Sequence, residues 1–401
     1  MITKKHQFFL WLLVLIALSV AIYFFVKDHD QKRIRESDPS IVTGPWGTLQ
    51  TWNIRLEVPP EYADFHKINH DETIWHSGLT TLPTLQQLLI SCGLTQDQVD
   101  KLLATRSNQT DGTIILKPDN ETLLSISPEA RSSLYLELSK IPLNDAEANP
   151  FYIPNGDVAG IFKGTSLENS SDLIGLVSKL VYPRNGFTYF SDLSFLLVLY
   201  KNDPEKIQEI EKSFLSTSAV MARLLVKPTD DVELPIIYWG LPMPGVKIKD
   251  LRPLFDAQKQ LPDGGSIPVS FLLSPLARDS LYKTPLIPKN GEKLPDCHWT
   301  ALNFFNFHPD DRMSDPKFSS KFITENYYEI SNPSICTDLE LLFTPDGKCI
   351  HSATYLAGDL VYSKNGIDFM QPWVLLHQKD MVGMFSALQP VTVHYFRKND
   401  Y

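Results

Sequence analysis

Four cysteines in 401 residues are too few to staple a chain of this length, so a disulfide scaffold is excluded. One bridge at most is expected: Cys336 and Cys349 flank Pro345-Asp346-Gly347 and could face each other across a hairpin, or both could be unpaired buried thiols. Positive charge is also short. Lys and Arg number 37 against 47 Asp and Glu, and a net charge of -10 excludes the clustered basic surface that nucleic-acid phosphates require. The stretch from about Pro45 to Glu233 has no GxGxxG, no Walker-type phosphate loop, no GxSxG elbow and no HExxH, which removes the commonest nucleotide, serine-hydrolase and zinc-peptidase readings there.

What is present is ordinary globular material, 43% hydrophobic and 21% charged, with 29 prolines that imply many turns. The expected fold class is α+β, in two modules behind an N-terminal transmembrane helix. Residues 8–26 (FFLWLLVLIALSVAIYFFV) carry no charge. As a helix they would span about 28 Å, close to the hydrocarbon thickness of a bilayer. A short tail, residues 1–7, precedes them, and Lys4 and Lys5 are balanced by Lys27, Lys32, Arg33 and Arg35 beyond. The short tail favours an uncleaved signal anchor with the bulk of the chain outside the cytoplasm and the membrane as a partner. Cleavage after Ser19-Val20-Ala21 is the competing reading. Residues 27–44 are charged and aperiodic and are expected to be a linker.

Residues 45–233 are expected to form a mixed α/β module. Trp52, Ile54, Leu56 and Val58 alternate as a half-buried strand. Leu82–Ile90 and Thr95–Leu103 have helical spacing, the second opened by a capping box of Thr95 and Gln98. A strand ends at Pro118; helices are expected over residues 127–141 and from Pro204 to Phe214. His66, His70 and His76 with Asp71 and Glu72 could hold a metal if helical, but Asn69-His70-Asp71 is turn-prone, and a surface loop is the expectation.

Residues 234–401 form the expected second module. Ile236 to Pro242 reads as a buried strand, Ile248 to Phe255 and the stretch from Pro275 as helices. At Asp296-Cys297 an N-cap aspartate precedes a single cysteine at a helix start, where free amide protons favour a thiolate. Downstream, residues 337–343, 348–356 and 360–363 form an antiparallel meander with His351 on its middle strand. A helix-start cysteine followed by a strand histidine is the layout of a thiol nucleophile and its general base.

Asp296-Cys297 together with the run His351-Ser352-Ala353-Thr354-Tyr355-Leu356-Ala357-Gly358-Asp359 resembles the NlpC/P60 branch of the papain-like cysteine hydrolases, over a core of about residues 290–401. The resemblance implies a helix packed on an antiparallel sheet and cleavage of an amide or peptide bond, in many members within peptidoglycan. It maps the nucleophile onto Cys297, the base onto His351 and the residue that orients the imidazole onto Ser363 or Asn365. The Cys297 amide and Tyr282 would hold the oxyanion. No metal or organic cofactor is implied. Cys297-His298-Trp299 stands where the family commonly has Cys-Ser-Gly. Two other readings use the same fold: a non-catalytic envelope protein that binds or scaffolds, and a thiol acyltransferase.

Overall fold

The computed structural model describes residues 39–59, 71–242, 248–289 and 292–400. The alternating stretch around Trp52 is the strand Gly47–Leu56, and its partners lie far along the chain. It pairs antiparallel with Thr217–Val226, from Thr48 opposite Leu225 to Leu56 opposite Thr217. Ser40–Gly44 and Gly265–Pro268 complete a four-stranded sheet on either side. This corrects two expectations. Residues 40–44 are an edge strand and not linker, and a boundary at 233/234 would cut between hydrogen-bonded strands. The segment between Leu56 and Thr217 is instead an insertion into a body made of the two flanking parts.

The architecture is mixed α/β with antiparallel sheets, and it departs from the expected class in its membrane part. Among the described residues no helix is long and apolar enough to cross a membrane. The span expected at residues 8–26, with its tail, lies outside the described residues.

The insertion has its own core, from Trp75 through Leu134, Tyr135 and Tyr189 to Phe214. Two small three-stranded sheets and several short helices surround it. Its local signals are clear. Thr95 and Gln98 make both bonds of the capping box ahead of helix Gln96–Ala104, and prolines open helices Pro128–Leu138 and Pro204–Leu215.

The body's second sheet has six strands, in the spatial order Tyr327–Ile330, Thr392–Lys398, Leu339–Phe343, Cys349–Ala357, Leu360–Lys364, Trp373–His377. Its middle is the expected meander. On one face Leu342, Ala353, Val361, Val374 and Leu376 meet Ile54 and Ala219 of the first sheet and Met381 of helix Gln378–Phe385. On the other, Leu339, Tyr362 and Leu375 meet Trp299, Ala301 and Leu302 of helix Cys297–Leu302. Ile236 to Gly240, expected as a strand, belongs to helix Glu233–Gly240, which buries Ile236 and Trp239 in that second core. A short apolar run buried on most sides has no period to distinguish the two.

Insertion and body are joined through helix Gln378–Phe385. Tyr152 donates to Asp380 Oδ1 at 2.8 Å, Tyr189 to the Gly383 carbonyl at 2.6 Å, and Arg184 to the Ala387 carbonyl at 2.9 Å. Gly383 lets the helix sit this close: a Cβ there would fall 2.5 Å from Tyr152 Cε2 and 2.9 Å from Phe187 Cδ1. Gly383→Ala is therefore expected to destabilise the protein by about 1–3 kcal/mol in urea unfolding, because two packed aromatic rings must move. An unchanged midpoint would mean that the joint is loose.

Candidate functional site

The Asp296 cap forms as expected: its carboxylate accepts the Trp299 amide at 2.7 Å and opens the six-residue helix at Cys297. The thiol that follows does not become a thiolate. Cys297 is buried, and burial pushes its pKa up to about 12 despite the backbone amides of Ser352 and His298, with Asp296 and Cys349 raising it further. A short helix provides little field, and desolvation of the anion outweighs it.

His351 is completely buried, on the strand Cys349–Ala357. Side chains alternate across a strand, and His351 lies opposite Leu342, so it shares the face that meets helix Gln378–Phe385. Its ring stacks on Phe385 at 4.0 Å between centroids. The helix that carries Cys297 packs on the other face, where His298 Nδ1 and Ser352 Oγ are hydrogen-bonded. His351 Nε2 bonds Ser363 Oγ at 2.9 Å, Ser363 donates to Asn365 Oδ1 at 3.2 Å, and Asn365 Nδ2 reaches Met384 Sδ at 3.2 Å. Nδ1 of His351 has no hydrogen-bond partner. The structure thus brings His351, Ser363 and Asn365 together and leaves Cys297 out of their network. Burial, with the nearby His298 ring, pulls the His351 pKa down to about 3, so the ring is a neutral core group across the physiological range.

Tyr282 is engaged elsewhere as well. Its hydroxyl donates to the Val220 carbonyl at 2.6 Å and burial raises its pKa, while its backbone, at φ 61°, is held by the Trp373 carbonyl at 2.7 Å. It is a core tyrosine between two sheets and not an oxyanion donor. Cys336 and Cys349 are both free thiols; Cys349 opens the hairpin's second strand opposite Phe343, whereas Cys336 lies near the far end, beside Tyr355. Of the histidine cluster, His66 and His70 lie outside the described residues, and His76 bonds Gln109 at 2.7 Å. Among the described residues no group of His, Cys, Asp or Glu could hold a metal ion.

Two groups near Cys297 carry chemistry that spacing alone does not reveal. Lys364 is fully buried, with Nζ donating to the carbonyls of Gly366 and Asp368 at 2.8 Å each; burial brings its pKa down to about 8, against Asp368, Cys297 and Asp296. His298 is likewise shifted down by burial, with Asp296 opposing. A cleft of about 210 Å³ lies at the joint between insertion and body. Asn53, Arg55 and Ser218 line it from the first sheet, Asp157 and Lys163 from the insertion, and Asp380 from the joining helix. Clefts between packed units are where small-molecule sites most often form.

No family model matches the chain, and neither does any curated protein or any solved structure.

Proposed function

We propose that this chain is a non-catalytic binding protein, whose thiol and imidazole serve the core and whose ligand site is the cleft between insertion and body. The observation that carries this reading is the placement of His351. It is bonded to Ser363 and stacked on Phe385, on the face of the sheet opposite the Cys297 helix. A thiol–imidazole pair needs hydrogen-bond reach and a base that titrates near the working pH. Here the thiol is held protonated and the imidazole neutral, each by burial. The cleft carries both signs of charge, with Arg55 and Lys163 against Asp157 and Asp380. That suits a small zwitterionic ligand such as a short peptide, of which a muropeptide is one kind.

The experiment is alkylation with turnover measured in parallel. Iodoacetamide at neutral pH leaves Cys297 of the native chain unmodified, and alkylation appears only on unfolding. No amine is released from muropeptides or dipeptides, while a thermal shift reports their binding and Cys297→Ala keeps that shift. Amine release that disappears in Cys297→Ala overturns the proposal in favour of a hydrolase, and acyl transfer to an added amine would favour a transferase.

A further inference from the structure

The helix that joins insertion and body, Gln378–Phe385, begins over a buried acid. Glu340 lies on the strand Leu339–Phe343, opposite Ala353 and Tyr395 of the two neighbouring strands. It stands two residues before Leu342, so its side chain shares the sheet face that meets this helix. It is fully buried. Its Oε2 accepts from Gln378 Nε2 at 2.8 Å, and the same amide donates to the Tyr395 hydroxyl at 3.0 Å. Oε1 has no hydrogen-bond partner.

Among the described residues no cation pairs with this carboxyl. The charged groups around it are engaged with one another: Arg397 holds Asp338 at 2.7 Å, and His377 holds Asp359 at 3.0 Å. On the joining helix Lys379 bonds Asn155 of the insertion at 3.1 Å, and Asp380 bonds Tyr152. The Tyr355 and Tyr395 hydroxyls are kept protonated by burial, and so is His351 kept neutral. One donor for two buried oxygens suits the neutral acid and not the carboxylate. Burial accordingly pushes the Glu340 pKa up to about 7; Gln378 opposes the rise, and Asp359 and Asp338 add to it.

We propose that Glu340 is a pH-sensitive latch on the joint: as the neutral acid it keeps the first turn of helix Gln378–Phe385 on the sheet, and on losing its proton to water it releases that turn. An ionised carboxylate needs water that the packed face excludes, and the turn that carries Gln378 lies over it. Two residues further on, Asp380 lines the cleft and accepts from Tyr152 of the insertion, so release of the turn loosens the cleft wall. The inference rests on the cleft being the ligand site only in what the latch regulates. The sign follows from the two states. With the turn lifted the carboxyl titrates near its ordinary value of about 4.5, and with the turn seated near 7. The seated state is therefore favoured at low pH, and opening increases about tenfold per pH unit from about 4.5 to about 7 before levelling off.

The test is hydrogen exchange of the full chain, followed by mass spectrometry between pH 5 and 8 and corrected for the chemical exchange rate. Protection of the amides in helix Gln378–Phe385 is expected to fall about 100-fold from pH 5 to 7 and then to level off. Glu340→Gln keeps a partner for Gln378 but does not titrate, and its protection should stay flat over that range. Gln378→Leu removes the donor that steadies the carboxylate, so the fall should extend to higher pH; this variant keeps the test open if the first folds poorly. A flat profile in the parent, or the parent's profile retained in Glu340→Gln, would overturn the latch. The exchange needs no ligand. Dipeptides that give no thermal shift at any pH would thus sink the binding reading and leave the latch standing, whereas a bound dipeptide with a flat exchange profile would do the reverse.

Discussion

Asp192→Ala is expected to lower the unfolding free energy by about 3–5 kcal/mol, the usual cost of leaving one member of a buried ion pair alone. Arg131 and Asp192 are both almost wholly removed from solvent, and their 2.9 Å contact has no water to screen it. Tyr135 ties the pair together, accepting from Arg131 at 2.7 Å and donating to Asp192 at 2.5 Å. Burial raises the Asp192 pKa, while the Arg131 charge and the hydrogen bonds from Tyr135 and Arg131 oppose the rise. Loss of the carboxylate would leave a buried guanidinium anchored by neutral groups alone, the Tyr135 hydroxyl at 2.7 Å and the Leu123 carbonyl at 2.6 Å. Urea unfolding followed through Trp75, which stacks edge-on to Tyr135, reads this part of the fold directly. The control is the double variant Arg131→Met with Asp192→Leu. It should recover most of the loss, because two apolar side chains in place of a buried pair avoid the desolvation of both charges. A single variant within about 1 kcal/mol of the parent would show that the pair is not formed in solution, since that is the range of an exposed bridge.

The elements that could be read from the sequence are those whose signal is local. The Thr95–Gln98 capping box, the helix-opening prolines at Pro128 and Pro204, the Asp296 cap and the meander around Pro345-Asp346-Gly347 all formed where their residues stand. Non-local pairing could not be read in this way. Nothing in Gly47–Leu56 marks Thr217–Val226 as its partner across the whole insertion, so the body looked like two successive modules. The site failed for a finer reason. A strand histidine can face either way, and the parity that sends His351 away from the Cys297 helix is set by its register against Leu342. The bulge between Leu342 and Phe343 lies at that point in the ladder. Of the two residues that the resemblance offered as partners of the imidazole, Ser363 on the adjacent strand bonds the ring, while Asn365 bonds Ser363.

Acidification is expected to destabilise the protein through His351 with a slope of about 1.4 kcal/mol per pH unit below the unfolded value of about 6.5. The sign follows from the direction of the shift. Burial lowers the folded pKa to about 3, so the fold binds neutral imidazole and the unfolded chain takes up the proton first. The contribution is complete above about pH 6.5 and is lost progressively as the pH falls toward 3. Because the ring is fully buried, solvent does not screen this effect. Glu147 and Glu340 act in the opposite sense: burial raises both to about 7, so their contribution is complete below about pH 4.5 and is lost as pH rises through that window. The parent curve alone therefore looks blunt, and the informative quantity is the difference from His351→Gln, which keeps a polar group near Ser363 but does not titrate. The variant loses the stack on Phe385, a cost that does not depend on pH. Its stability relative to the parent should then improve by about 3 kcal/mol between pH 6.5 and 4. A flat difference would mean that the ring titrates in the fold as it does in the open chain. It would then be free to act as a base, and the non-catalytic reading would lose its main support.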